Sequence, residues 1–185
     1  CNQACLDHTF SGRLTSCLVN PRACHETVLN YAPVAVPKRV AVVGAGPAGM
    51  MCAMVAAGRG HQVVLFDRAE GLGGQLNLAR QVPGKEEFHG LVAWFAHEVH
   101  RLGVECRLRR AVDVADLAGF DEVVVATGVA PRDPEIAGQD RALGYIEVLN
   151  GAAVGRRVAL IGAGGIGFDV AEYLVAGGHS PTLSP

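Results

Sequence analysis

The chain has 185 residues, of which 50% are hydrophobic and 18% charged, a globular composition with ample material for a core. Its formal net charge of −2 gives no basic field to attract nucleic acid or an anionic membrane. No apolar run reaches the roughly 20 residues of a membrane span.

Residues 1–30 are irregular and rich in cysteine. Of the six cysteines, Cys1, Cys5, Cys17 and Cys24 fall in the first 24 residues, while Cys52 and Cys106 stand apart and read as small core residues. A secreted disulfide framework fits poorly with the nucleotide-binding pattern that follows. Ligation is the better reading: three or four thiolates suit an iron–sulfur cluster, and four also suit zinc. Spacing alone does not choose between them. The chain opens on a cysteine and stops inside a pattern, so we expect a piece of a longer protein. Tyr31–Lys38, with Pro33 and Pro37, reads as an extended linker.

A periodic α/β region follows. Arg39–Val43 is a short valine-rich run, as expected of a buried strand. Gly44-Ala45-Gly46-Pro47-Ala48-Gly49 fits G-x-G-x-x-G, and Pro47–Gly58 reads as the helix it opens. Gly44 permits the tight turn, Gly46 lets backbone approach a pyrophosphate, and Gly49 lets the helix pack closely on the sheet. The helix N-terminus offers free N–H groups and positive potential to phosphates. Gln62–Asp67 is a second strand, and Asp67 ends it 23 residues after Gly44. That is close to the roughly 20-residue offset of a ribose-binding acid.

The glycine doublet of Gly71-Leu72-Gly73-Gly74-Gln75 comes soon after Asp67. Such a doublet marks FAD-binding two-dinucleotide enzymes. Phe88, Leu91, Val92, Phe95, Val99 and Leu102 fall at helical spacing, ended by Gly103. Val104–Leu108 and Glu122–Ala126 read as further strands, the latter running into Ala126-Thr127-Gly128. This "ATG" turn is a second mark favouring FAD over NAD. Residues 40–61 then recur 118 positions later as 158–179, with Gly162, Gly164 and Gly167 in the places of Gly44, Gly46 and Gly49. Val158–Ile161 is thereby expected as a strand leading into a second dinucleotide site. Spacing does not say whether that site takes NAD or NADP. A flavin beside the cysteines favours iron over zinc, because a cluster carries single electrons.

The expected fold is α/β, a Rossmann-like doubly wound parallel sheet of the three-layer FAD/NAD(P)-binding kind, preceded by an irregular Cys-rich cluster-binding segment. The expected divisions are a cluster segment (1–30), a linker (31–38), an FAD-binding domain (39–150) and the start of an NAD(P)H-binding domain (156–185).

The run Cys-Asn-Gln-Ala-Cys-Leu-Asp at 1–7, with Thr15–Glu26, Val82–Phe88 and Gly162–Asp169, resembles the multidomain branch of the Old Yellow Enzyme family. That branch includes bacterial NADPH-dependent 2,4-dienoyl-CoA reductase, to which the likeness is strongest, and trimethylamine dehydrogenase. The resemblance implies an N-terminal FMN barrel in the same full-length protein, then a [4Fe–4S] segment, then FAD and NADP(H) domains. It makes Cys1, Cys5 and Cys17 cluster ligands, with a further ligand three positions before Cys1. Cys24 is then a neighbour of the cluster. It places FAD contacts at Ala48, Asp67, Gln75, Lys85 and Val112. The implied relay runs from NADPH through FAD and the cluster to FMN, reducing an enoyl- or dienoyl-CoA in fatty-acid β-oxidation. Cytoplasmic location follows from that cofactor set, and the net charge and lack of a long apolar run lead us to expect no nucleic-acid or membrane partner.

Other readings give different expectations. An amine or N-methyl-compound dehydrogenase of the trimethylamine dehydrogenase type would run electrons out of its substrate. A disulfide reductase of the thioredoxin reductase type needs a Cys-x-x-Cys pair that the chain lacks. A glutamate-synthase-like small subunit should carry a more ferredoxin-like cysteine pattern. A stand-alone FAD/NAD(P)-binding module would keep the turns without catalysis.

Overall fold

The computed structural model describes residues 4–177. Cys1 therefore lies outside the described residues. The chain divides into two compact units, Cys1–Ala35 and Val36–Pro185.

In the first unit the helix α1 (Ala4–Phe10) buries no residue. Hydrogen bonds hold this unit instead. His8 Nδ1 donates to the Leu14 carbonyl at 3.1 Å and lies 3.2 Å from Ser16 Oγ, while Thr9 Oγ1 sits 3.1 Å from Thr15 Oγ1. These contacts stitch residues 14–16 to α1, which carries Cys5, just before Cys17.

The second unit is built on a sheet of four parallel strands in the order β3-β2-β1-β4. These are β1 (Arg39–Val43), β2 (Gln62–Phe66), β3 (Glu105–Arg107) and β4 (Glu122–Val125). The period-2 alternation of a strand sorts the side chains. Val40, Val42, Val63 and Leu65 face a core shared with α2 (Pro47–Gly58) and α4 (Glu87–Arg101). Ala41, Val64 and Phe66 face the other way, under Val112, Leu117 and Phe120 of an irregular segment. Phe66 meets Phe120 edge-on at 5.9 Å between centroids. The α4 stripe of Val92, Phe95 and Val99 is buried, as the helical spacing predicts.

The unit also holds two short helices, α3 (Leu76–Ala79) and α5 (Tyr145–Leu149), and the 12-residue α6 (Gly165–Ala176). Val82, Val148, Leu149 and Val170 form a separate apolar cluster that seats α6 against α5 and the chain after α3.

Two expectations are corrected. Cys106 lies on the edge strand β3 and is exposed, so it is not a core residue, whereas Cys52 is half-buried against the main core. Val158–Ile161 forms no strand. Val158, Leu160 and Ile161 are exposed, and none of the four strands pairs with this segment. A strand needs a neighbour to satisfy its backbone groups, and among the described residues it has none.

Candidate functional site

The chain leaves β1 with β2 on one side and β4 on the other, so the sheet order reverses there. Crevices outside the carboxyl ends of strands at such a switch point bind ligands in open α/β sheets. The first glycine turn occupies this position. Gly44 has φ 109°, and a Cβ on it would stand 2.2 Å from the Ala126 carbonyl oxygen at the end of β4. A Cβ on Gly49 would stand 1.8 Å from the Gly44 oxygen. Both positions are closed to any side chain by the protein itself.

Gly46 is different. It caps α2 with an ordinary extended backbone, φ −73° and ψ 178°, and a Cβ there would meet nothing within 4 Å. The space in front of Gly46 is open, as a pyrophosphate-binding turn requires. Pro47 has no N–H to satisfy, and the N–H groups of Ala48 and Gly49 in the first turn have no intrahelical acceptor. Ala48 is exposed. These amides, with the positive end of a 12-residue helix, suit an anionic group.

Asp67 closes the turn from β2. Its Oδ2 accepts from the Ala45 amide at 2.6 Å and its Oδ1 from the Ala69 amide at 2.8 Å. Each oxygen keeps a second acceptor position, which fits a carboxylate that also receives sugar hydroxyls. The glycine doublet seats on the same turn. The Gly73 amide donates to the Ala45 carbonyl at 2.9 Å, and a Cβ on Gly74 would lie 2.9 Å from Gly46 Cα.

Gln75 follows, with Nε2 donating to the Val129 carbonyl at 2.9 Å and Oε1 accepting from the Tyr145 hydroxyl at 3.0 Å. Gly128, at φ 72°, turns the chain between Ala126 and Val129. The structure thus gathers Gly44, Gly46, Ala48, Gly49, Asp67, Gly74, Gln75 and Gly128 around one turn.

Two residues expected as FAD contacts have side chains engaged with other parts of the protein. The Val112 side chain packs on Ala41, Val64 and Phe66 on the other face of the sheet. The Lys85 ammonium lies 2.6 Å from Asp169 Oδ2, on α6. That pair and Tyr145 escaped the sequence reading. They join residues 84 and 70 positions apart, and no local pattern signals them.

The second turn repeats the first in miniature. Gly162 has φ 112°, Gly164 caps α6, and a Cβ on Gly167 would come 2.4 Å from the Gly162 oxygen. Here too a Cβ on the middle glycine, Gly164, would meet nothing.

In the first unit, Cys17 Sγ accepts from the Asn20 amide at 3.4 Å. The backbone donors of Asn20 and Val19 hold its thiol below the usual range. Backbone donors aimed at this sulfur favour its anionic form, the form that ligates metal. Among the described residues no group of three or more His, Cys, Asp or Glu could hold a metal ion, and the predicted set also needs Cys1. No described helix is long and apolar enough to cross a membrane.

Residues 38–183 match the protein family described as pyridine nucleotide-disulphide oxidoreductase. The chain is 35% identical over 187 residues to a metal reductase of Desulforamulus reducens, covering 96% of the chain and 28% of that protein. It is 37% identical over 196 residues to an NADH oxidase of Thermoanaerobacter brockii, covering 99% of the chain and 30% of the relative. Among solved structures, a 2-naphthoyl-CoA reductase in complex with 2-naphthoyl-CoA superposes with a TM-score of 0.86 at 31% identity. That match covers 96% of this chain and 28% of the reductase. The chain thus spans about three tenths of the length of these relatives.

Proposed function

The chain belongs to the pyridine nucleotide-disulphide oxidoreductase family, and from that premise we propose that it is the FAD- and NADP(H)-binding part of an electron-relay flavoprotein. In the whole protein it would join a [4Fe–4S] segment and an FMN barrel, and its acceptor would be a 2,4-dienoyl-CoA of fatty-acid β-oxidation. The location would be cytoplasmic. The observation that carries the reading is the Gly44–Gly49 turn at the sheet's switch point, with open space at Gly46 and the Asp67 carboxylate fixed against Ala45.

The residues have separate tasks in this reading. Gly44 and Gly49 shape the turn, Gly46 leaves room for the pyrophosphate, and the Ala48 and Gly49 amides bind it. Asp67 receives the ribose hydroxyls. The Gly73–Gly74 loop and the Ala126–Gly128 turn flank the cleft and favour FAD. Gln75, Lys85 and Val112 are further FAD contacts in this reading: the Gln75 amide and the Lys85 ammonium keep N–H donors beyond the contacts described above, and Val112, whose side chain packs on the sheet, offers its backbone. Gly162, Gly164 and Gly167 form the corresponding cradle for the pyridine nucleotide. Cys1, Cys5 and Cys17 are the thiolates for the cluster. The bound groups would supply hydride acceptance from the nicotinamide and single-electron transfer onward.

Support for the acceptor class comes from a relative that acts on an acyl-CoA thioester. Relatives named for a metal and for NADH support a reading in which this part delivers electrons and acceptor choice lies elsewhere in the protein.

The test uses the whole protein. It should contain FAD, FMN and iron, and should oxidise NADPH when a 2,4-dienoyl-CoA is added. Replacing Gly46 by Val should leave the fold intact, because a Cβ there meets no protein atom within 4 Å, and lower FAD retention at least tenfold. An iron-free protein, or a G46V variant that keeps its FAD, rejects the reading. Electron flow only out of amine substrates would transfer the assignment to the dehydrogenase branch.

A further inference from the structure

Tyr145 opens α5 and works in two directions. Its half-buried ring packs with Val82, Val148, Leu149 and Val170, the last of these on α6 behind the second glycine turn. Its hydroxyl donates to Gln75 Oε1 at 3.0 Å, and Gln75 Nε2 donates onward to the Val129 carbonyl at 2.9 Å. Gln75 and Val129 come from two separate loops and Tyr145 from α5. Gln75 follows the glycine doublet whose Gly74 presses on Gly46, and Val129 follows the turn whose Ala126 presses on Gly44.

A glutamine amide has two chemically different ends that rotation interchanges. Reversed, Gln75 would set its oxygen against the Val129 carbonyl, acceptor facing acceptor. The Val129 carbonyl thus sets the amide's orientation, and the Tyr145 hydroxyl donates to the Oε1 so presented, tying the amide to the ring. The hydroxyl uses one of the two Oε1 acceptor positions and leaves one Nε2 hydrogen beyond the Val129 bond. A side chain so exposed would otherwise sample several rotamers, and fixing it against a half-buried ring removes that freedom before any ligand arrives.

We propose that Tyr145 is a positioning residue of the flavin site. Its hydroxyl clamps the Gln75–Val129 bridge, and that bridge closes the lip between the two loops flanking the first glycine turn. The ring anchors this clamp to the cluster that seats α6. The proposal rests on the flavin reading above, and its test separates the two.

The experiment compares the whole flavoprotein with its Y145F, Q75L and Q75L/Y145F variants. Phe keeps the ring and removes only the hydroxyl. Y145F should melt within about 2 °C of the parent, since the apolar cluster is unchanged. It should release FAD about fivefold faster, the effect of one lost hydrogen bond, and its flavin absorption band should shift. Q75L/Y145F should release FAD no faster than Q75L, because the hydroxyl acts only through the amide. A parent protein purified without FAD overturns the flavin reading and this proposal together. A flavin-loaded parent with a Y145F variant of identical release rate and spectrum overturns the proposal alone. So does an additive double variant. A Y145F protein that fails to fold also overturns it, because the hydroxyl would then be serving the fold and not the lip.

Discussion

The two glycine turns have nearly the same backbone and very different surroundings. Gly44 and Gly162 sit at φ 109° and 112°. Gly46 and Gly164 cap their helices with ψ 178° and −179°. Yet the first turn leaves a strand paired on both sides, and the second leaves a segment that is unpaired among the described residues, with Val158, Leu160 and Ile161 exposed. The turn conformation is therefore local, written by glycine spacing and a following helix. The sheet around it is a property of neighbours that come from elsewhere in the chain.

The largest effect should come from substituting the leading glycine of each turn. Gly44→Ala meets both a left-handed backbone and the Ala126 carbonyl, and should destabilise by about 3–4 kcal/mol. Gly162→Ala meets only the backbone cost, because nothing lies within 4 Å of its Cβ, and should lose about 1–2 kcal/mol. Urea unfolding of the whole protein measures both. Equal losses would show that the second turn also packs against a neighbouring strand there, and the contrast between the turns would fail.

The segments leading into the turns sharpen the same contrast at smaller scale. Val42 is fully buried and Leu160 is 45% exposed. Val42→Ala should cost about 2–3 kcal/mol through lost burial and a cavity. Leu160→Ala should stay within about 0.5 kcal/mol, as for a surface site. A large loss at Leu160 would mean that residues 158–161 are paired in the whole protein.

What the sequence made legible follows the same division. The valine run of β1, the glycine turn, the start of α2 at Pro47 and the apolar stripe of α4 are local signals, and each element formed at its expected place. Asp67 was found by its offset from Gly44, and it stands against the turn. Pairing was not legible. Val158–Ile161 has the composition of a strand but no partner among the described residues, and Cys106 is exposed because β3 is an edge strand. Nor could α5 be seen, since its five residues are too few to show a period. The clamp of Tyr145 on Gln75 joins side chains that only the fold brings together.

Lys85 tests how the two turns are tied to each other. The resemblance makes it an FAD contact, whereas its ammonium lies 2.6 Å from Asp169 on the helix of the second turn. Both side chains are about one-third exposed, so solvent screens the pair and its coupling should be at most about 1 kcal/mol. A double-mutant cycle with Lys85→Met and Asp169→Asn, read by urea unfolding at low and high salt, measures that coupling. The pair should give a small favourable term that shrinks with salt. FAD retention divides the alternatives further. If Lys85 acts only through Asp169, either single variant should leave FAD retention equally unchanged. If it also reaches the flavin, Lys85→Met alone should weaken retention, and the ion pair would be one of two positions this side chain can take.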